Sequence, residues 1–114
     1  MKHSTGAPTK AERERFDALR LIGCLCCRSR GAWTLPAEIH HLLSGNRRRG
    51  HEFTIPLCPW HHRGKVFRGM TAREMTEDFG PSLALGSKPF HAAFGSDEEL
   101  LAAVNELLAQ RRAA

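Results

Sequence analysis

The sequence predicts a small α+β domain in which helices flank a strand, loop, strand, helix unit, and three observations support this fold class. Thr9, Thr71 and Ser96 are each followed three residues later by Glu, the capping-box pattern that marks helix starts. Two short β-compatible stretches, residues 38–43 and 53–57, lie between the first two of these starts. The length of 114 residues is typical of a single domain.

The capping boxes predict helices near both ends of the chain. Thr9 opens a helix over roughly residues 10–22. Thr71 opens a short helix that ends near Phe79, and Ser96 opens a last one in which leucines recur with helical period. Apolar stripes of this kind pack in the core more often than they bind a partner. We therefore assign these helices no catalytic role.

The middle of the chain predicts a hairpin followed by a helix. Residues 38–43 and 53–57 are separated by a loop rich in Gly and Arg, which indicates a wide connection between two strands. Pro59 suits the first turn of a helix, so we expect residues 59–68 to be helical. This helix would begin directly after Cys58.

Metal-binding side chains are concentrated in and around this unit. All four cysteines and five of the seven histidines lie between Cys24 and His62. These are more donors than one tetrahedral zinc ion takes, so the sequence predicts a closed structural site beside a second, histidine-rich site with an open position. A divalent ion at the second site would bind a phosphate oxygen while a spare imidazole deprotonates water.

The spacing of the ligands indicates how they divide. Cys24 and Cys27 form a Cys-x-x-Cys knuckle, whereas Cys58 and His61, three residues apart at a helix start, lie on one face. We expect these four residues to bind a structural zinc ion. The next helical residue, His62, is rotated by about 100° and is left for the second site.

The cysteines also support other interpretations, which we weigh against zinc. The first residues lack the apolar segment of a secretory signal, so metal binding in a cytoplasmic protein is favoured over disulfides. Cys26 could replace Cys24 or Cys27 in a distorted knuckle, although adjacent cysteines chelate one ion poorly. A redox role lacks the βαβ context of thioredoxins. No uncharged apolar run reaches the roughly 20 residues of a membrane span.

The pair His40 and His41 has two interpretations. On a regular strand adjacent side chains point to opposite faces, so one would enter the core and the other would face solvent. A strand end or a β-bulge would instead let both face His62, and bulges are over-represented beside active sites.

Positive charge is concentrated where these ligands lie. Residues 28–68 contain eight Lys or Arg and two acids, whereas residues 69–114 contain four and seven. Such a segment is often only a solvated surface. Here an arginine triplet lies in a glycine-bounded loop and further cations follow the last histidine pair, an arrangement that suits phosphate neutralisation. The predicted nucleic-acid-binding residues are Arg47, Arg48, Arg49, Arg63, Lys65 and Arg68.

Three segments together resemble the HNH, or ββα-metal, endonucleases with a treble-clef zinc knuckle. They are residues 38–42 (Glu-Ile-His-His-Leu), the basic loop, and residues 55–64 (Ile-Pro-Leu-Cys-Pro-Trp-His-His-Arg-Gly). With residues 89–95 (Pro-Phe-His-Ala-Ala-Phe-Gly) and the leucine-rich helix, the chain more closely resembles the phage and prophage Ref type, the recombination-enhancement, RecA-dependent nucleases. The resemblance covers roughly residues 20–110.

This resemblance implies a metal-dependent endonuclease that hydrolyses phosphodiester bonds in DNA, with a RecA-type filament as a partner. It implies that His41 is the general base that activates water. It also implies that His40 and His62 hold the catalytic ion, Mg²⁺ or another divalent ion. Arg63 and its neighbours would then clamp the DNA backbone.

The domain is expected to span residues 9–114, after a flexible tail over residues 1–8. Where HNH enzymes commonly carry Asn before the second strand, this chain has Gly-His-Glu-Phe, so the third ligand of the catalytic ion is His51, His91 or water. His51 is about as consistent with a surface position. The rival function is a non-catalytic, zinc-containing module that binds nucleic acid through its arginines.

Overall fold

The computed structural model describes residues 6–113 and has a small α+β fold, which confirms the predicted class at that level. Most of the tail expected over residues 1–8 lies outside the described residues. Gly6 and Pro8 lie within them, and their carbonyl oxygens accept hydrogen bonds from the side chains of His51 and Arg13.

Helices surround two short antiparallel strand pairs. Between Gly6 and Ala113, no helix is both long enough and apolar enough to cross a bilayer. In chain order the elements are α1 (Lys10–Ile22), α2 (Leu25–Arg28), β1 (Glu38–His41), β2 (Leu43–Ser44), β3 (Arg47–Arg48), β4 (Thr54–Leu57), α3 (Pro59–Arg63), α4 (Ala72–Phe79), a 3₁₀ turn (Leu83–Leu85), α5 (Ser87–Phe94) and α6 (Asp97–Ala113).

The capping boxes begin their helices as predicted. The Thr9 hydroxyl accepts from the Glu12 N–H, and the Thr9 N–H donates back to the Glu12 carboxylate at 2.8 Å. The same reciprocal pair opens α4 at Thr71 and α6 at Ser96. Each box satisfies two backbone donors that would otherwise lack an intrahelical partner.

β1 and β4 form the central strand pair. Their register runs without interruption from Glu38 opposite Leu57 to His41 opposite Thr54. All four residues of β4 are buried, whereas those of β1 are partly exposed. β1 is therefore the strand that can present side chains to solvent.

The connection between these strands contains a second hairpin that the sequence analysis did not predict. β2 and β3 pair antiparallel, and Gly45 and Asn46 join them with φ angles of 57° and 67°. Two successive positive φ angles are typical of the tight hairpin turn whose twist matches that of the flanking strands. The arginine triplet begins on this exposed hairpin.

The helix after β4 is shorter than predicted, since α3 ends at Arg63 instead of continuing to residue 68. It ends because Gly64 adopts a left-handed conformation, with φ of 73°, and donates its N–H to the Trp60 carbonyl at 2.8 Å. Glycine takes this conformation without the steric cost that other residues meet.

One hydrophobic core joins the helices to the central strands. Fully buried members are Leu19 of α1, Leu57 of β4, Trp60 of α3, Met75 of α4 and Val104 of α6. The apolar stripe of α6 packs in this core, as predicted. The start of α3 is thereby held between β4 and the C-terminal helices.

Leu19 and Leu21 provide a matched test of how α1 packs. Leu19 is fully buried and Leu21 is 57% exposed. We expect Leu19→Ala to lower the free energy of unfolding by about 2–5 kcal/mol, because it removes buried methyl groups and leaves a cavity. Leu21→Ala should change it by less than about 0.5 kcal/mol. Urea denaturation followed by circular dichroism measures both, and equal losses would contradict this orientation of α1.

Candidate metal centre and histidine group

Four potential metal ligands converge between α2 and the start of α3. The Sγ atoms of Cys24, Cys27 and Cys58 and the Nδ1 atom of His61 all lie within 4.8 Å of one another, and all four residues are buried. Nδ1 lies 3.4, 3.6 and 3.4 Å from the sulfurs of Cys24, Cys27 and Cys58. The sulfurs of Cys27 and Cys58 are 3.9 Å apart.

These separations fit a tetrahedral zinc ion. Zn–S bonds of about 2.3 Å and Zn–N bonds of about 2.0–2.1 Å, at tetrahedral angles, place two sulfurs about 3.8 Å apart and a sulfur about 3.6 Å from a nitrogen. Three cysteines and one histidine are also a common donor set of closed structural zinc sites. The group could therefore hold a zinc ion, and it supplies all four ligands.

The hydrogen bonding of His61 matches this role. Its Nε2 lies 2.8 Å from the Phe79 carbonyl oxygen, which can only accept, so Nε2 carries a proton and Nδ1 is the ring atom that faces the three sulfurs. Burial alone would lower the pKa of His61, but the hydrogen bonds with the three cysteine sulfurs raise it to about 12. The sulfurs thus favour a positive charge beside Nδ1, whether a proton or a metal ion.

Cys26 lies beside this cluster, outside the set of converging ligands. Its hydrogen bond to the Cys24 sulfur raises the pKa of the Cys26 thiol far above its usual range. The same hydrogen bond is the main cause that lowers the pKa of Cys24 to about 5. The direction of these shifts is that of a Cys26 thiol that donates to the Cys24 sulfur, and together with the convergence of the other three sulfurs it favours Cys24 and Cys27 over Cys26 as ligands.

Glu38, His40 and His62 form a second group, where β1 lies against α3. The imidazole rings of His40 and His62 meet edge to face, with their centroids 5.1 Å apart. His62 Nδ1 donates to the Glu38 carboxylate at 2.8 Å, so the lone pair of His62 is on Nε2. A carboxylate behind an imidazole in this way commonly orients it for metal binding.

The sequence analysis gave Glu38 no role in this group. The sequence did contain a signal for this role, because Glu38 lies two residues before His40 and alternate residues of a strand share a face. Arg63 holds the same carboxylate, donating from Nε at 2.9 Å and from Nη2 at 2.7 Å. The hydrogen bonds from Arg63 are the main cause that lowers the pKa of Glu38.

His41 contacts a different set of residues from His40. It is the last residue of β1, and its ring lies edge to face with those of Phe16 and His51, with centroids 6.0 and 5.1 Å away. Its Nε2 is 2.9 Å from His51 Nδ1. Because β1 pairs with β4 without a bulge, the side chains of His40 and His41 point to opposite faces. The expectation that both face His62 is therefore wrong: His40 meets His62, whereas His41 packs on Phe16 and His51.

Both strand histidines are held in the neutral form. Burial is the largest cause that lowers the pKa of each to about 4, with further contributions from His62 on His40 and from Arg48 on His41. Near pH 7 each ring is therefore uncharged and retains a lone pair that can bind a metal ion or accept a proton.

The two histidines considered as a third ligand are engaged elsewhere. His51 is only 6% exposed, so a surface position is wrong, and its Nε2 lies 2.8 Å from the Gly6 carbonyl oxygen. His91 Nδ1 lies 2.9 Å from the Gly95 carbonyl oxygen. Over residues 6–113, three or more ligand atoms converge only at the Cys₃His cluster. Among the described residues, His40 and His62 are therefore a pair without a third converging ligand atom.

The six predicted nucleic-acid-binding residues have different surroundings. Arg49 pairs with Glu98 of α6, and its guanidinium lies 4.7 Å from the centre of the Phe53 ring. It fastens the connection between β1 and β4 to the C-terminal helix. Arg63 is half exposed and pairs with Glu38. The other four side chains are exposed: Arg47, Arg48, Lys65 and Arg68.

A family model described as recombination enhancement, RecA-dependent nuclease matches residues 8–109. The chain belongs to this family. The matched region contains both the Cys₃His cluster and the histidine group, and the match confirms the resemblance to the recombination-enhancement, RecA-dependent nucleases. The family description indicates a nuclease that acts on nucleic acid in recombination. In a comparison with curated proteins, no sequence matches the chain.

Two cysteine variants test the metal centre. We expect the purified protein to contain zinc at one ion per Cys₃His cluster, and Cys58→Ser to lose that zinc and much of its cooperative unfolding transition, because one of four ligands is removed. Cys26→Ala is the matched control and should retain zinc. Elemental analysis and thermal unfolding measure both properties. Zinc loss from Cys26→Ala but not from Cys58→Ser would contradict the ligand assignment.

Proposed function

We propose that the protein is a metal-dependent endonuclease that hydrolyses phosphodiester bonds in DNA during recombination. The observation that carries the proposal is the pair of imidazoles, His40 and His62, with the Glu38 carboxylate behind one of them and His41 next along the strand. Membership of the RecA-dependent nuclease family supplies the reaction class. On this proposal residues 9–114 act as one nuclease domain.

The central unit is proposed to be the ββα-metal fold of HNH endonucleases. β1, β4 and α3 follow one another as strand, strand and helix, with a basic connection between the strands. The Cys₃His cluster joins the α2 knuckle to the start of α3, which is the arrangement expected for a treble-clef zinc site. Its zinc ion would be structural, since the protein supplies all four ligands.

His40 and His62 are proposed to bind the catalytic ion. Both rings can present a lone pair, because His40 is neutral near pH 7 and His62 Nδ1 is committed to Glu38. Mg²⁺ or another divalent ion held there would polarise a phosphate oxygen and stabilise the charge that develops on it. Two nitrogen ligands leave positions open for the substrate and water.

His41 is proposed to be the general base. Its ring is neutral near pH 7 and can take up a proton, and its place at the end of β1 is proposed to let it reach a water molecule that attacks the phosphorus. Attack by water requires no covalent intermediate on the protein. The chain contains no tyrosine that could act as a nucleophile.

DNA is proposed to lie over β1 and the hairpin of β2 and β3. Arg47, Arg48, Lys65 and Arg68 are exposed and carry positive charge that can neutralise phosphates. Arg49 and Arg63 are proposed to act at the same surface while paired with Glu98 and Glu38. Contacts of this kind give strong salt dependence and little base specificity. A RecA-type filament on DNA is the proposed partner.

Cleavage of supercoiled plasmid tests the catalytic assignment. With Mg²⁺ or Mn²⁺, alone and with a RecA filament, we expect the wild-type protein to nick the plasmid. His41→Ala should cleave about 10²–10⁴-fold more slowly, because it lacks the general base. It should still bind DNA and retain zinc.

The same cleavage assay also distinguishes an endonuclease from the rival function. A non-catalytic binding module would bind DNA through its arginines and cleave it under none of these conditions. Equal nicking by the wild-type protein and His41→Ala, or none by either, would reject the assignment of His41.

Glu38→Gln tests the carboxylate behind His62. Glutamine can still accept from His62 Nδ1, but it lacks the charge that raises the basicity of the imidazole. We expect apparent affinity for the divalent ion, or activity, to fall about 10–100-fold. Glu52→Gln, a neutralised and exposed acid outside this group, is the control and should leave the metal titration unchanged. Equal titration curves for wild type and Glu38→Gln would contradict the role of Glu38.

A further inference from the structure

We infer that His51 is a positioning residue that fixes the tautomer and ring orientation of His41. Three groups form a chain of hydrogen bonds: His41 Nε2 lies 2.9 Å from His51 Nδ1, and His51 Nε2 lies 2.8 Å from the Gly6 carbonyl oxygen. Gly6 precedes α1 in the sequence, so the segment before the first helix completes the chain.

When both imidazole rings are neutral, these two hydrogen bonds can run in only one direction. The Gly6 carbonyl oxygen can only accept, so His51 Nε2 carries the proton and His51 Nδ1 carries the lone pair. His41 Nε2 must then be the donor to His51. The lone pair of His41 is consequently on Nδ1, which leaves that atom as the proton acceptor of the ring.

The two rings are also fixed by packing. Phe16 of α1 meets both of them edge to face, with centroids 6.0 Å from His41 and 5.5 Å from His51. The His51 backbone is held in turn, because the Thr54 hydroxyl donates to its carbonyl at 2.8 Å and accepts from Arg15 Nε at 2.9 Å. The pair is therefore held from two elements, α1 and β4.

This inference rests on the proposed function in one respect, because the Nδ1 lone pair of His41 has a catalytic use only if His41 is the general base. The tautomer of His41 itself can be measured without DNA cleavage. A general base held in the wrong tautomer presents N–H where a lone pair is needed, and catalysis suffers while substrate binding does not. His51 does not contact the reacting atoms on this account. It acts through His41.

Two substitutions at residue 51 separate hydrogen bonding from packing. His51→Phe keeps a ring against Phe16 but removes the acceptor for His41. His51→Gln restores an acceptor and a donor on one side chain. We expect His51→Phe to lower kcat about 10²-fold with little change in KM, and His51→Gln to recover most of that loss. A rise in KM with unchanged kcat, no loss of activity in His51→Phe, or no recovery in His51→Gln would overturn the inference.

Nitrogen-15 NMR of the His41 ring gives the direct readout. At pH 8, where imidazoles of ordinary pKa are neutral, the wild-type ring should be protonated on Nε2, and His51→Phe should give a mixture of tautomers. Protonation of wild-type His41 on Nδ1, or an unchanged spectrum in His51→Phe, would overturn the inference even if the protein is an active nuclease. A wild-type protein that cleaves no DNA rejects the proposed function, whereas the NMR result still decides the role of His51. Zinc content and thermal unfolding show that each variant is folded.

Discussion

The geometry of the whole site depends on His61, through its bonds to the cysteine cluster on one side and to the Phe79 carbonyl on the other. α3 has five residues, far fewer than a helix needs to be stable by itself. Its start is instead held by the cluster, by burial of Trp60 and by the hydrogen bond from Trp60 to the Gly80 carbonyl. Because successive helical side chains diverge by about 100°, fixing His61 also directs His62 toward Glu38. The Cys₃His cluster thereby sets the position of a neighbouring residue that is not one of its members.

A common device orients the histidines. In each case one ring nitrogen donates to a group that can only accept, which leaves the other nitrogen to face a different partner: the acceptor is the Phe79 carbonyl for His61, the Glu38 carboxylate for His62 and the Gly6 carbonyl for His51. The arrangement suits a small protein with a modest core, because hydrogen bonds supply positional order where packing is limited. Among residues 6–113, every buried side-chain nitrogen and oxygen has a hydrogen-bond partner.

The sequence predicted well those features that rest on local rules. The capping boxes located three helices, and helical spacing correctly assigned His61 and His62 to different directions. Features that depend on contacts between distant residues were missed. The burial of His51 arises from α1 and the segment before it, and the role of Glu38 requires α3 to pack on β1. Gly64, at which α3 ends, was a local signal in the sequence, and the prediction of a longer helix overlooked it.

The short helix α3 carries both His61 of the Cys₃His cluster and His62 of the second group. This has a practical consequence for experiments with chelators. A strong chelator that takes the expected zinc ion from the cysteines would also release the start of α3, and His62 would move away from Glu38 with it. Loss of cleavage in a chelator therefore reports the integrity of the fold as well as the ion proposed at His40 and His62. Exchange of the divalent ion while zinc is supplied throughout separates these effects, because the cysteine cluster then stays saturated.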